Sequence, residues 1–388
     1  MSETYQTRLE RIKKVVKKKE LPDKVPCVFM LNGWIIEYYG ETLRNYYQDK
    51  PDITPAIYKK GIEEFQFDGS FNLNNVSSYT ATAAMGGGMY AVSDNGIQVS
   101  NIATAMIMQE DEYPLLIKDF PGFLRDYIMP RRYSVLSKGN TDEALDALKT
   151  ALNEKNKFFA TVATGWKQIE ADGCPIMWNS GALGHPIDFL FDYLRDFKGI
   201  TLDIRRRPGA VMDAMKVIQD YLMKNVFAGF KSDPDYKGPF WPTHLACFLR
   251  PKDYATFYHP YFKETLEYCI DNEIYSGIVF EGDWTAYFDL MQDIPDNDIL
   301  IGSMEFGDYK NFKEKLGSKF AICGGMPLSV LGLESREKTI DFTKQLLDDC
   351  APGGGFMVTT DKAMLRLRDA NPENFKAMIE TLDTYGRY

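Results

Sequence analysis

The sequence predicts an α/β protein folded as a (β/α)8 TIM barrel, with an N-terminal helical extension and an inserted excursion. Three observations carry that prediction. Eight short apolar runs recur along the chain, amphipathic stretches lie between them, and most of the runs end in polar or reactive side chains. At 388 residues the chain is long for one domain but within the span of a barrel with insertions.

The first element is a helix over residues 3–20, whose basic run KKVVKKKE reads as a solvated face. Pro22 and Pro26 stop it, and Val25 to Leu31 is a continuous apolar run of the buried-strand kind. The rhythm returns in FQFDGSFNLNNVS, GCPIMWNSG, FWPTHLACFL, YSGIVFEGDW, DILIGSMEFGD, KFAICGGMP and GGGFMVTTD. Between such runs, PYFKETLEYCIDNE and REKTIDFTKQLLDDC space their apolar residues at helical intervals. Strands alternating with helices wind parallel, and this many units favours closure into a barrel. Residues 78–140, with GGG at 86–88 and few clear strands, read as an excursion that would serve as a lid. No linker or low-complexity tract divides the second half, so residues 1–388 are expected to form one barrel domain.

Hydrophobic residues make up 45% of the chain and charged residues 26%, a composition that supplies a large core. Acids outnumber bases, 55 to 45, for a formal net charge of −10. That balance disfavours nucleic acid and anionic membrane as main partners, since both require basic surface. No apolar run approaches the ~18–20 residues that span a bilayer. The opening MSETYQTRLERIKK lacks an apolar signal region, so a cytoplasmic protein is expected. Six cysteines without a C-x-x-C pair point to free thiols. With only three histidines, acid–base or metal chemistry must lean on carboxylates, cysteine or tyrosine.

In a β/α barrel the chemistry sits where strands run into the following loops. The groups at those places are Asn32 and Trp34; Asn72, Asn74 and Asn75; Trp178 and Asn179; His244 and Cys247; Glu281 and Asp283; Glu305 and Asp308; Cys323; and Thr359, Thr360 and Asp361. Each has a purely structural alternative: an aspartate that caps a helix, a cysteine or histidine satisfied in the core. Their convergence on one rim favours a site. Glu281 and Glu305 end successive strands, so both carboxylates are expected to face one cavity, with Asp283 beside them. These three are the candidate catalytic residues. Glu281, Glu305, His244 and Cys323 are the candidate metal ligands. Asn32, Trp34, Asn74, Trp178, Asn179 and Trp284 are the candidate substrate-binding residues, the indoles enclosing an apolar, ring-shaped substrate.

The phrases ERIKKVVKKKELPDKVPCVFM and KFAICGGMPLSVLGLESREKTIDFTKQLLDD, with the ending PGGGFMVTTDKAMLRLRDANPENFKAMIETLDTYGRY, resemble the opening, the seventh strand-and-helix and the tail of the uroporphyrinogen decarboxylase superfamily. More loosely, the likeness extends over nearly the whole chain. It implies a β/α barrel, a homodimer, and either decarboxylase or corrinoid-dependent methyltransferase activity. Decarboxylases of that superfamily carry an arginine pair after the first strand, in a phrase like F-M-R-Q-A-G-R. Here FMLNGWIIEYY puts Leu31 and Trp34 near those positions, an opening poorly suited to a polyanion. Thiol-directed methyltransferases hold zinc by an H-x-C pair and a distant cysteine; here Glu281-Gly-Asp283 takes the place of the pair, and Thr360 and Asp361 stand in the last strand. The branch that remains is the O-demethylase type of anaerobic metabolism, which moves methyl from a small methoxylated, aromatic substrate to a Co(I) corrinoid. The alternatives are a decarboxylase-like lyase and a thiol-directed methyltransferase. No D-x-H-x-x-G phrase surrounds any histidine, so the cobalamin is expected on a separate corrinoid protein, with zinc as the metal that the acids could bind.

Overall fold

The computed structural model describes residues 3–45, 51–71, 78–88, 90–92, 98–100, 106–139 and 141–388. Strand β1 (Val28–Phe29) pairs in parallel with β2 (Gly69–Ser70), and a hairpin within the excursion joins β3 (Tyr90–Val92) to β4 (Gln98–Ser100) antiparallel. A second parallel sheet runs in the order β5 (Phe240–Thr243), β6 (Ser276–Asp283), β7 (Leu300–Phe306), β8 (Ala321–Met326), β9 (Phe356–Thr360). Three further parallel bridges connect the pieces: Ser70 to Ile176, Ala182 to Phe240, and Cys27 to Val358. The ring therefore closes through β1, β2, the 176–182 segment and β5 to β9, which is a β/α barrel of eight staves.

The 176–182 stave is the irregular one, and its sequence explains why. Pro175 has no N–H to give a ladder, and Trp178 takes a left-handed backbone, φ 54°. A few backbone hydrogen bonds tie it in, Met177 N to Ser70 O at 2.8 Å and Ser70 N to Pro175 O at 2.9 Å on one side, Leu183 N to Phe240 O at 2.8 Å and Phe240 N to Gly181 O at 2.9 Å on the other. Elsewhere the staves alternate with helices as the periodicity predicts, for example His259–Asp271 after β5 and Arg336–Cys350 after β8.

The N-terminal helix, Tyr5–Lys17, starts on a Thr4 hydroxyl that accepts from Thr7 N at 3.2 Å and ends on Lys18 in the left-handed region. Its apolar face plugs the barrel. Ile12, Val15 and Val16 join Val28, Met177, Trp178, Ile301, Ala321, Cys323 and Met357 in one buried cluster inside the ring. Each such aliphatic contributes about 1.5–3 kcal/mol by leaving water, so Val15→Asp would unseat the plug. A larger cluster fills the layer between staves and helices and holds Trp34, Trp241 and Trp284. Among the described residues no helix is long and apolar enough to cross a membrane.

Candidate functional site

The site grows from the helix Pro186–Tyr193. His185 caps it, its Nδ1 accepting from Ile187 N at 3.1 Å while Nε2 donates to Tyr258 O at 2.9 Å. Burial pulls this imidazole down to about 3, so it stays neutral and structural. Asp188 and Asp192 stand four residues apart on one face of the helix, and both point at the loop after β5. Buried Asp188 accepts from Leu245 N at 2.8 Å, His244 N at 3.3 Å and Tyr258 Oη at 2.8 Å, which fixes the backbone that carries His244. Removal from water pushes the Asp188 carboxyl up to about 7.

The imidazole of His244 lies between two acids. Nδ1 meets Asp192 Oδ2 at 2.6 Å and Nε2 meets Glu281 Oε1 at 3.3 Å. Burial opposes its charge, but the hydrogen bonds and charges of Asp192 and Glu281 outweigh that and push it up to about 11. It is an imidazolium at neutral pH. Burial in turn raises Asp192 above the ordinary carboxylate range, against the pull of His244.

Glu281 is presented by a bulge. The β6–β7 register slips between Phe280 and Asp283, and Gly282 there has φ 78°. A Cβ on Gly282 would fall 2.8 Å from Cys247 Sγ, so only glycine lets the two loops meet. Glu305, at the end of β7, turns back to accept from Gly282 N at 3.0 Å, and Lys362 lies 4.0 Å from it. Half-buried Cys247 sits within this acidic corner; burial, then the charges of Glu281 and Glu305, push its thiol up to about 11. A cleft of about 230 Å³ runs from Leu183, Phe189 and Phe227 to Asp188, Asp192 and His244.

The structure thus gathers Glu281, Glu305 and His244 on one rim. Other expected residues lie elsewhere. Asp283 is exposed and accepts from Thr285 N at 2.9 Å, which makes it a turn cap. Cys323 is fully buried at the third position of β8, inside the barrel, where burial raises its thiol far above the ordinary value. It lies short of the rim, and Cys247 is the thiol that reaches the acids. Trp34 is fully buried, donates to Ala370 O at 2.7 Å and stacks on Tyr38, so it packs a helix and lines no mouth. Trp284 is likewise buried and donates to Glu281 O at 3.0 Å, holding the bulge from behind. Trp178 stacks on Phe71 at 3.8 Å and fills the ring at the level of Gly277, four residues or about 13 Å below Glu281. Asn179 follows it, half-buried. Asn72, Asn74 and Asn75 lie outside the described residues, as does the side chain of Asn32. Sequence reasoning missed Asp188 and Asp192; the i, i+4 acids in PIDFLFDY were the available signal.

Imidazole, carboxylate and thiol are donors that zinc accepts, and Asp192 backs His244 as a carboxylate backs a metal-bound histidine. Among the described residues, however, no three His, Cys, Asp or Glu side chains stand where one ion could be held. The arrangement is an acid–imidazolium–acid row, hydrogen-bonded at Asp192 and ion-paired at Glu281, open to the cleft on one side.

A solved structure described as a methyltransferase from Methanosarcina mazei has the same fold, with a TM-score of 0.58 at 14% identity over 98% of this chain and 99% of that one. No curated protein matches this sequence. Residues 137–385 match the family described as Uroporphyrinogen decarboxylase (URO-D). That match spans more than half of the sequence and every stave from Ile176 onward, and on it the chain belongs to the uroporphyrinogen decarboxylase family.

Proposed function

We propose that the chain is a methyltransferase of the O-demethylase kind, acting in the cytoplasm, which takes methyl from a small methoxylated aromatic compound and passes it to the reduced corrinoid of a carrier protein. The observation that carries this reading is the imidazolium of His244 between Asp192 and Glu281 at the rim. Breaking a methyl–oxygen bond leaves its electron pair on the oxygen, and a phenolate is the product. The corrinoid supplies the nucleophile. This chain must supply positive charge and a proton to the oxygen.

His244 has both. The 3.3 Å contact of Nε2 with Glu281 is the longer of its two, so a substrate oxygen can take that place while Asp192 keeps the ring oriented through Nδ1. The proton on Nε2 would lie against that oxygen, so it stabilises the developing phenolate by a charge-assisted hydrogen bond and is then transferred to it. Glu281 returns to Nε2 when the product leaves.

Decarboxylation of a polyanion is the weaker reading. Leu31 and Trp34 are buried where family decarboxylases hold arginines, and Arg366, which reaches that helix, is engaged by Glu37 at 2.9 Å. The carrier would dock over the rim, where Phe306 at the end of β7 and Phe248, Leu333 and Leu365 in the segments that follow β5, β8 and β9 are exposed. The excursion 78–140 would form part of that mouth. A carrier that must also visit a second enzyme suits an affinity in the micromolar range, about −8 kcal/mol. The test is incubation with free cob(I)alamin and a panel of methoxyaromatics, followed by loss of the Co(I) absorbance and release of the phenol. Turnover with any of them supports the assignment. Release of CO2 from a porphyrinogen without methyl transfer would overturn it.

A further inference from the structure

Tyr258 is fully buried and stands off the cleft wall, yet it touches what holds both halves of the rim. It ends a π-helical turn, Tyr254–Tyr258, in which His259 N–H reaches back five residues to Tyr254 O. Pro260 follows and brings no N–H, so the helical ladder is interrupted where the turn widens. Such turns are rare and often mark functional sites. The carbonyl of Tyr258 accepts from His185 Nε2 at 2.9 Å, and the imidazole lies flat on the phenol ring, with 3.8 Å between centroids and 5° between planes. His185 therefore clamps Tyr258 by both backbone and ring.

From that position the side chain makes two contacts of interest. Its Oη donates at 2.8 Å to Asp188 Oδ2, on the carboxylate that also takes the amides of His244 and Leu245 at 3.3 and 2.8 Å. Its ring meets Trp284 edge-on, 5.7 Å between centroids at 83°, and that indole N–H holds Glu281 O at 3.0 Å. One residue thus stands behind each end of the 3.3 Å contact between His244 Nε2 and Glu281 Oε1. We infer that Tyr258 is a positioning residue of the rim, which sets His244 through its hydroxyl and Glu281 through its ring. Its effect on turnover rests on the reaction proposed above; the geometry stands without it.

Amide hydrogen exchange of the full chain, read by mass spectrometry without any substrate, separates the two arms. Tyr258→Phe keeps the ring and removes the hydroxyl, so exchange should speed by about fivefold, the worth of one hydrogen bond, in residues 244–249 and not in 281–284. Tyr258→Leu should loosen both segments. Adding Tyr258→Phe to Asp188→Ala should loosen 244–249 no further, since the hydroxyl acts through that carboxylate. In the transfer assay with free cob(I)alamin, Tyr258→Phe should lower kcat about tenfold and leave KM within about twofold. Wild-type exchange in 244–249 of Tyr258→Phe, loosening spread over the whole chain, or additive effects in the double variant overturns the inference. So does a raised KM with kcat intact, which would make Tyr258 part of the binding wall. A wild-type chain that transfers no methyl overturns the demethylase reading alone, and the exchange pattern then decides the positioning role by itself.

Discussion

Two clusters of buried charge sit at opposite ends of the barrel. Below the N-terminal ends of the staves, the Arg11 guanidinium binds Glu3 through Nη1 at 2.8 Å, Asp23 through Nε at 2.7 Å, and Asp68. Lys24 pairs with Asp383 beside it, and Arg8 donates to Gly173 O at 2.9 Å. Arg11 thereby holds the Asp23 carboxyl down to about 2. At the other end, a single imidazolium faces Asp192 and Glu281, with Asp188, Glu305 and Cys247 close by. The lower cluster matches strong bases to acids, and Lys24 and Arg11 oppose the burial that raises Asp68. The upper one has an excess of acid and a loosely held contact. A closed ionic network supports structure, whereas an unbalanced one beside a cleft is poised for chemistry.

If that contrast holds, the two ends should fail differently. Asp68→Ala leaves a buried guanidinium short of one carboxylate and Cys27 N without its 2.9 Å acceptor. It should lower stability by about 3 kcal/mol in urea titration, with the rate per folded molecule intact. His244→Gln should do the reverse: a loss of about a hundredfold in methyl transfer, near 2.7 kcal/mol in the barrier, with the fold unchanged. Comparable losses of stability in both variants would erase the distinction.

Glu281→Gln sharpens the point, since it keeps the shape and removes the charge. Turnover should fall at least tenfold, about 1.4 kcal/mol, and an unchanged rate would take Glu281 out of the site.

The smallest effect is a pH signature. The folded His244 is raised to about 11 from an ordinary value near 6.5, so its favourable charge interaction is fully present below the unfolded value and fades as pH rises through the folded one. The stability difference between wild type and His244→Gln should therefore be largest below about pH 6.5 and shrink steadily towards pH 11. A difference that grew with pH would mean that the imidazole is neutral in the native protein.

Barrel, stave order and acidic rim were legible in the sequence because alternation and strand ends are local signals. The phase of a short strand was not. Cys323 and Cys247 both stand near a stave end in the linear text, yet Cys323 is three residues short of Met326, where β8 stops. The tryptophans misled for a related reason: an indole beside a strand end can turn inward, outward or back under a loop, and only packing decides. Asp192 was hidden because its partner His244 lies 52 residues away.

The plugged floor has a final consequence for proton traffic. With Trp178 stacked on Phe71 across the ring and the first helix packed beneath, the barrel is a cul-de-sac. If His244 is the proton donor proposed above, its proton must be replaced from the mouth, through Glu281, Asp192 or the cleft wall, and a carrier docked there as proposed would suspend that resupply until it left.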